Sequence, residues 1–437
     1  MTGKRSVVFD VDDTLVNTFS TGVRKCARSA SLLGLRAPSA AEIARSYGRV
    51  DFLTCVQTWH PGVDLDLYSR TYDSLADEIP VEPLCDFAHV VDEARSAGLA
   101  VGVLSNGPGA KTIRKLAAMG VTPEHLDFVE HAHTSPTPKP APEAFTRLAR
   151  RYELSPSHTW YVSDSPADWH GAEAAGWQSV AVARSGPFGK PPGAARLTVP
   201  SVDRLDRLLP VIARVPASTS AAPAAFSLDV GFTLVEHLRA PGTLIGELAV
   251  QRGQSMTDDR IDAALDDARH LLADPASVWS TDHAIDGALH AYYRAALAAL
   301  GFPDGYEDVV VRHYTAPENW VLKPGAAELV RRLHRSGLPV GALGNWQSNL
   351  PLVLRRVGLL DSLVCAVSSA DAGAGKPSAA AFSAVAAALG VDVREVVHIG
   401  DDVNTDVEGA LRAGARAAWL PYGLSEEETC RTVTALV

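Results

Sequence analysis

Short apolar runs that stop abruptly at a polar residue recur along this chain. SVVFD ends at Asp10, LAVGVLSN at Ser105 and Asn106, and TWYVSD at Asp164. The second half does the same: AFSLD runs to Asp229, LPVGALGN to Asn345 and VVHIGD to Asp401. Runs of four to six apolar residues without alternation suit parallel strands buried on both faces. Helical patterns lie between them, for example over 85–98 and 326–337, each ending at a glycine as helices often do. Strand and helix in alternation predict an α/β fold built on an open, doubly wound parallel sheet. In such sheets ligands bind beyond the carboxyl ends of the strands, where these polar residues converge.

The same text is written twice. VVFDVDDTLV (7–16) faces FSLDVGFTLV (226–235), with a lag of 219 residues from Asp10 to Asp229. TPKPAPEAF (137–145) faces AGKPSAAAF (374–382), and YVSDSPADWHGAEAAG (161–176) faces HIGDDVNTDVEGALRAG (398–414). The lag there is 237, both for Lys139 to Lys376 and for Asp164 to Asp401. Each copy is domain-sized, so a solenoid of short repeats is excluded. The small, polar, Pro-bearing stretch 215–225 reads as a linker between units 1–214 and 226–437. Residues 17–82 and 236–322 look mostly helical, and each is expected to form a cap inserted after the first strand. The longer second cap accounts for the change in lag.

Composition narrows the partners. The chain has 437 residues, 46% hydrophobic and 21% charged, with a formal net charge of −11. It can bury ordinary cores, and binding to nucleic acid or to an anionic membrane by bulk charge is disfavoured. No apolar stretch of about 18 residues predicts a membrane span. Five scattered cysteines without C-x-x-C spacing, and an N-terminal MTGKRSVVFD without a signal-peptide core, fit a cytoplasmic protein. Only eight of the 40 basic residues are lysines: 4, 25, 111, 115, 139, 190, 323 and 376.

Asp10 and Asp12 stand two apart at a strand end, so both side chains can project to one side. Carboxylates that close repel unless a cation or a proton lies between them. Asp164 and Asp168 add two more acids. An all-oxygen cluster prefers a hard cation, Mg²⁺ first. Ser105, Thr14 and Lys139 supply hydroxyls and an ammonium, a set suited to a phosphoryl group. His131 and His133 form an H-x-H without an evident third ligand and read as a solvated strand end. Trp59, His60, Tyr68 and Tyr72 of the cap read first as packing.

DVDDTLV, LSN, Lys139-Pro140 and SDSPAD, in that order, resemble the four motifs of the haloacid dehalogenase superfamily, and the cap resembles that of its phosphoglycolate-phosphatase-like members. The resemblance implies two tandem Rossmann-like parallel-sheet domains. It also implies a Mg²⁺-dependent phosphatase acting on a small phosphorylated metabolite. In that reading Asp10 attacks phosphorus and forms an aspartyl-phosphate, and Asp12 protonates the leaving oxygen and then activates water. Ser105, Asn106 and Lys139 hold the phosphate. The metal sits on Asp10, the carbonyl of Asp12 and Asp164, with Asp168 close by; helix capping is the other reading of Asp168. Asp13 reads as a helix-start acid and Thr14 as a turn residue.

The second unit departs from this pattern. Asp229, Lys376, Asp401 and Asp406 keep catalytic and metal positions, and Asn345 a phosphate position. Gly231, however, stands where Asp12 stood, and Gly344 where Ser105 stood. Glycine neither gives nor takes a proton, so this unit is expected to be a weak phosphatase, a ligand-binding remnant or a structural partner. Phosphoryl transfer, dehalogenation and a binding or scaffolding role are the rival readings for the whole chain.

Overall fold

The computed structural model describes residues 3–47, 51–183, 195–215, 222–422, 426–434 and 436. Most of the 215–225 linker, Lys190 and most of the Gly/Pro-rich stretch before residue 195 lie outside them. The chain divides into two compact units, Met1–Pro191 with Val199–Ala217 and Pro192–Thr198 with Ser218–Val437.

The first unit opens with β1 (Lys4–Phe9) and continues through α1 (Thr18–Leu32), α2 (Ala40–Ser46), α3 (Phe52–Trp59) and α4 (Leu65–Ser74). Then come α5 (Phe87–Ser96), β2 (Ala100–Leu104), α6 (Gly109–Ala117), β3 (Phe128–Glu130), α7 (Pro142–Tyr152), β4 (Leu154–Ser163), α8 (Pro166–Ala174) and β5 (Gln178–Val182). The strands are parallel in the order β5-β4-β1-β2-β3. The apolar runs become the buried central strands because helices cover both faces. Val8, Phe145, Leu148, Tyr161 and Trp177 close part of the core. Phe9 is in register with Val103 and Val162, which sets Asp10 one step past the last paired residues, beside Ser163.

Helices α1 to α4 form the cap. Asn17 starts α1 by accepting the Ser20 N–H, and a Ser39–Glu42 capping box starts α2. The stem joining cap to sheet is tied by Asn17 N–H to Glu82 O (2.8 Å) and Leu84 N–H to Leu15 O (2.9 Å). His131 and His133 lie in a turn beyond β3, not on a strand, with their rings 5.8 Å apart. α9 (Leu209–Arg214) closes the unit, its Ile212 carbonyl accepting from the Trp160 indole at 3.1 Å.

Of the short strand β6 (Leu197–Val199), Leu197 and Thr198 belong to the second unit and pair with Ala417 and Ala418. Arg196 beside it donates to the carbonyls of Leu411, Gly414 and Ala415. β7 (Ala225–Leu228) carries the repeat of β1. The cap follows between the antiparallel stem strands β8 (Val235–His237) and β9 (Trp320–Leu322). Its helices are α10 (Pro241–Gln251), α11 (Asp258–Ala268), α12 (Pro275–Val278), α13 (Asp282–Ala299) and α14 (Tyr306–Thr315). Leu244, Ile261, Ile285, Leu289, Tyr293 and Val310 give this larger cap a core of its own.

α15 (Ala326–His334), β10 (Val340–Gly344), α16 (Leu350–Arg356), β11 (Ala366–Ser368), α17 (Ser369–Ala372) and α18 (Ala379–Leu389) lead to β12 (Val396–Gly400). α19 (Gly409–Ala413), β13 (Arg416–Trp419) and α20 (Glu426–Thr434) complete it. The parallel order is β6-β13-β12-β7-β10-β11. No helix among the described residues is long and apolar enough to cross a membrane.

Candidate active site

The tip of β1 delivers Asp10 into a buried ion-pair group. Lys139 Nζ donates to Asp10 Oδ1 at 2.7 Å, and stands 2.8 Å from Asp168 Oδ2 and 2.6 Å from the Tyr161 hydroxyl. The Val11 N–H also holds Asp10 Oδ1, at 2.7 Å, and Ser163 Oγ lies 3.4 Å from Oδ2. Burial pushes the Asp10 carboxyl up to about 7, assisted by Asp168, Asp12 and Asp164 and opposed by Lys139. The acids gathered there thus add to an effect that burial begins.

Asp12 is partly buried and held from three sides. Lys115 of α6 pairs with its Oδ1, the Thr18 hydroxyl donates to the same oxygen at 2.6 Å, and Ser105 Oγ lies 3.4 Å from Oδ2. Burial works to raise this carboxyl, but Lys115 and Thr18 outweigh it and hold the group below its ordinary value. Gly107 leaves the space beside it open: a Cβ there would stand 3.1 Å from Ser105 Oγ and 3.6 Å from Asp12 Oδ2.

Two sequence-predicted residues have a different setting from the one expected. The Asn106 amide clamps the Lys139 loop, Nδ2 donating to Lys139 O and Oδ1 accepting from Lys139 N–H, both at 2.9 Å. Asn345 treats Lys376 in the same way, at 2.9 and 2.7 Å. Both ends of each amide thus hold a lysine loop instead of reaching into the crevice. Asp13 adopts a φ of +57° and joins turn to cap, accepting from Phe19 N–H at 2.9 Å and the Tyr47 hydroxyl at 2.8 Å. Thr14 Oγ1 donates to Asp164 Oδ1 at 3.1 Å, orienting that acid.

The second unit repeats the buried pair. Lys376 Nζ bridges Asp229 Oδ1 and Asp406 Oδ1, each at 2.5 Å, and His398 Nε2 lies 3.2 Å from Asp406. Ligand oxygens of Asp229, Asp401 and Asp406 all lie within 4.8 Å of one another. Asp401, half-buried, is pushed up to about 8 by its loss of solvent and by Asp229 and Asp406 beside it. Trp346 stands at the position of Gly107. Its ring lies 3.5 Å from where a Cβ on Gly231 would be, and it packs 4.5 Å from the Trp320 ring.

A model of haloacid dehalogenase-like hydrolases matches residues 7–182, and a second model of the same description matches 242–414. This chain belongs to the haloacid dehalogenase-like hydrolases. It is similar to a phosphoserine phosphatase of Thermus thermophilus, 30% identical over 138 residues that make up 31% of this chain and 55% of that one. It is also similar to a phosphoglycolate phosphatase of Salmonella paratyphi A, 26% identical over 48% of this chain and 92% of that one. Among solved structures, a HAD-superfamily hydrolase of Geobacter sulfurreducens is 21% identical over 47% of this chain and 97% of that one, with a TM-score of 0.38. The matched segments span only 55% and 43% of the first two curated relatives.

Sequence reasoning missed several side chains in these haloacid dehalogenase-like units. Tyr161 and His398 occupy matching places near the buried lysines, each a polar-tipped residue flanked by apolar ones in its strand. Lys115 and Thr18 come from helices far apart in sequence, and the scarcity of lysine was the one available signal for the former. The donor set of the first unit fits a hard divalent cation: it is all oxygen, and its acids exceed its cations.

Proposed function

We propose that the first unit is a Mg²⁺-dependent phosphomonoesterase for a small phosphorylated metabolite. The observation that carries this reading is the meeting, at the tip of β1 and beneath a helical cap, of Asp10 with Lys139 and of Asp12 with Ser105. The phosphatase names of the relatives agree with it. Asp10, Asp164 and the main-chain carbonyl of Asp12 would hold the cation, which supplies neutralising charge for the phosphoryl oxygens.

Asp10 Oδ2 faces neither Lys139 nor the Val11 N–H, and it is the oxygen that attacks phosphorus. A bond forms from Asp10 to phosphorus as the ester P–O bond breaks; Asp12, ionised beside Lys115 before substrate arrives, takes up a proton as the anionic phosphoester binds and gives it to the departing alkoxide. Asp12 then takes a proton from the water that opens the aspartyl-phosphate, so the proton account closes over one turnover. Lys139 holds Asp10 in line, while Ser105 and the loop after it receive phosphoryl oxygens. Asp168 acts on Lys139, keeping its ammonium between the two carboxylates.

In the second unit, units 226–437 by the proposed boundary, Asp229, Lys376 and the acids remain, yet no group two residues after Asp229 handles a proton. We assign it weak or no phosphatase activity. The test is release of inorganic phosphate from a panel of metabolite monoesters by the full chain and by Asp10→Asn. Loss of release in the variant is expected, and near-normal turnover would overturn the assignment of Asp10.

A further inference from the structure

The cap of the first unit carries a lysine, its stem buried, that the chemistry above does not use. Lys25 is 9% exposed, and its ammonium lies 5.4 Å from the centroid of the Tyr72 ring. Among the described residues no carboxylate pairs with it and no acceptor takes its hydrogen bonds. Lys25 shares a face of α1 with Thr18 and Gly22, at spacings of four and three residues. That face looks toward the crevice, since the Thr18 hydroxyl donates to Asp12. A Cβ on Gly22 would lie 3.6 Å from the Tyr72 hydroxyl, so tyrosine and lysine sit together along it.

The neighbours deepen the imbalance. Lys111, Arg114 and Lys115 of α6 all repel Lys25, and only Asp73 pulls the other way. Asp73 is already taken by Lys111 at 2.7 Å, and Asp12 by Lys115. Burial first, and these like charges after it, lower the affinity of Lys25 for its proton. The stem of Lys25 is buried while its ammonium, beside a ring face, keeps contact with solvent and has no carboxylate to pair with among the described residues. An anion delivered from the crevice would give that charge a partner.

We propose that Lys25 receives a second anionic group of the substrate, a carboxylate or a further phosphate on the carbon frame that bears the scissile phosphoester. The first unit would then select small phosphomonoesters with an anionic tail over equally small neutral ones. This inference rests on the phosphatase reading of the same crevice. The reacting phosphoryl group belongs to Asp10 and Ser105, while the tail lies toward α1.

The test uses the full chain with Mg²⁺ and phosphonates that are not hydrolysed. Phosphonoacetate carries a carboxylate tail, ethane-1,2-diphosphonate a phosphonate tail, and ethylphosphonate a neutral one. Calorimetry is expected to show one or both anionic probes bound at least about tenfold more tightly than ethylphosphonate, as a charge-assisted contact predicts. Which of the two is preferred identifies the tail. In Lys25→Met this ratio should collapse toward one, in Lys25→Arg most of it should return, and in Arg24→Met, which removes the same charge at an exposed place on α1, it should persist.

Lys25→Met should leave the melting midpoint close to that of the parent, because the packing of the stem is kept and the lost charge is one that solvent reaches. An unchanged ratio in Lys25→Met, or no preference in the parent protein, overturns the proposal. A lowered midpoint with an unchanged ratio would mark Lys25 as a packing residue. Phosphate release is followed on the same proteins. Binding preference without release would sink the phosphatase reading and leave the tail subsite standing, whereas release with an unmoved ratio would sink the subsite alone.

Discussion

At the tips of β1 and β7 the two units hold the same buried motif, a lysine between two aspartates: Lys139 with Asp10 and Asp168, and Lys376 with Asp229 and Asp406. In both, the lysine precedes a cis proline and an asparagine clamps its main chain. The units part company a few residues away. The first has Asp12, held by Lys115, with Gly107 leaving room beside it. The second has Gly231 and the ring of Trp346, and its α16 buries Val353 and Leu354 in the region where α6 offers Lys115. These differences hang together. Without a carboxylate at 231 a lysine there would lack its partner, and an indole fills the space. The lesson concerns what a motif proves. A lysine between two buried acids has a folding reason to stay whether or not it works in catalysis, because removing it strands the acids. The proton-handling residue and the open space around it are the features that separate a working crevice from a packed one.

The sharpest way to break this comparison is to remove each nucleophile in turn. Asp10→Asn should lower phosphate release by at least about 10³-fold, as loss of a nucleophile does. Asp229→Asn should change kcat less than about twofold, within the scatter of substitutions away from the chemistry. Should Asp229→Asn prove the more damaging, the second unit is the enzyme and the assignment of roles is reversed. Chelation follows in size. EDTA should take release to background and Mg²⁺ restore it, with Ca²⁺ a poor substitute because its larger, looser coordination misplaces the reacting groups. Full turnover in EDTA would remove the metal from the proposal.

Much of this was legible in the chain. Apolar runs ending in acid placed β1, β4, β7 and β12, and the double lag placed two units with a longer second cap. What stayed hidden was whatever depends on helices crossing. Lys115 meets Asp12 over 103 residues of separation, and Tyr47 meets Asp13 over 34. Nothing local marks either pair. The resemblance assigns Asn106 and Asn345 to the phosphate, and nothing local shows that their side-chain amides reach the neighbouring lysine loops. Nothing in the sequence marks Trp346. Only the geometry shows its ring covering the place of a missing carboxylate.

The folding role of the lysine is tested by Lys376→Met. That change leaves the buried Asp229 and Asp406, with half-buried Asp401 beside them, without their cation. It should destabilise the second unit by about 3–5 kcal/mol, the usual consequence of breaking a buried pair. Denaturant unfolding followed by tryptophan fluorescence reads the effect, since Trp320, Trp346 and Trp419 lie in that unit. Adding Asp406→Asn should recover part of the loss, because one fewer carboxylate is then unpaired. A single variant as stable as the parent would show that the pair does not hold the unit together.

The smallest expected effect is a gain. Gly231→Asp in an Asp10→Asn background returns a carboxylate to the second unit. Gly231 is not among the glycines with positive φ, so its backbone accepts a side chain. A Cβ there meets only Trp346, at 3.5 Å, which is an ordinary contact. The carboxylate beyond that Cβ, however, meets the indole, so the single change should add nothing measurable. Trp346→Ala opens the space at a stability cost of about 3–5 kcal/mol, since the side chain is buried against Trp320. The combination Gly231→Asp/Trp346→Ala should raise phosphate release above the Asp10→Asn background by up to about 10²-fold, the lower end of what a positioned acid–base contributes. Both variants are compared on one substrate at a temperature where circular dichroism shows them folded. Equal gain from Gly231→Asp alone would show that the ring does not block the crevice. No gain from the folded double variant would mean that the second unit lacks more than a proton and a space, and Gly344, where Ser105 stands in the first unit, would be the next position to change.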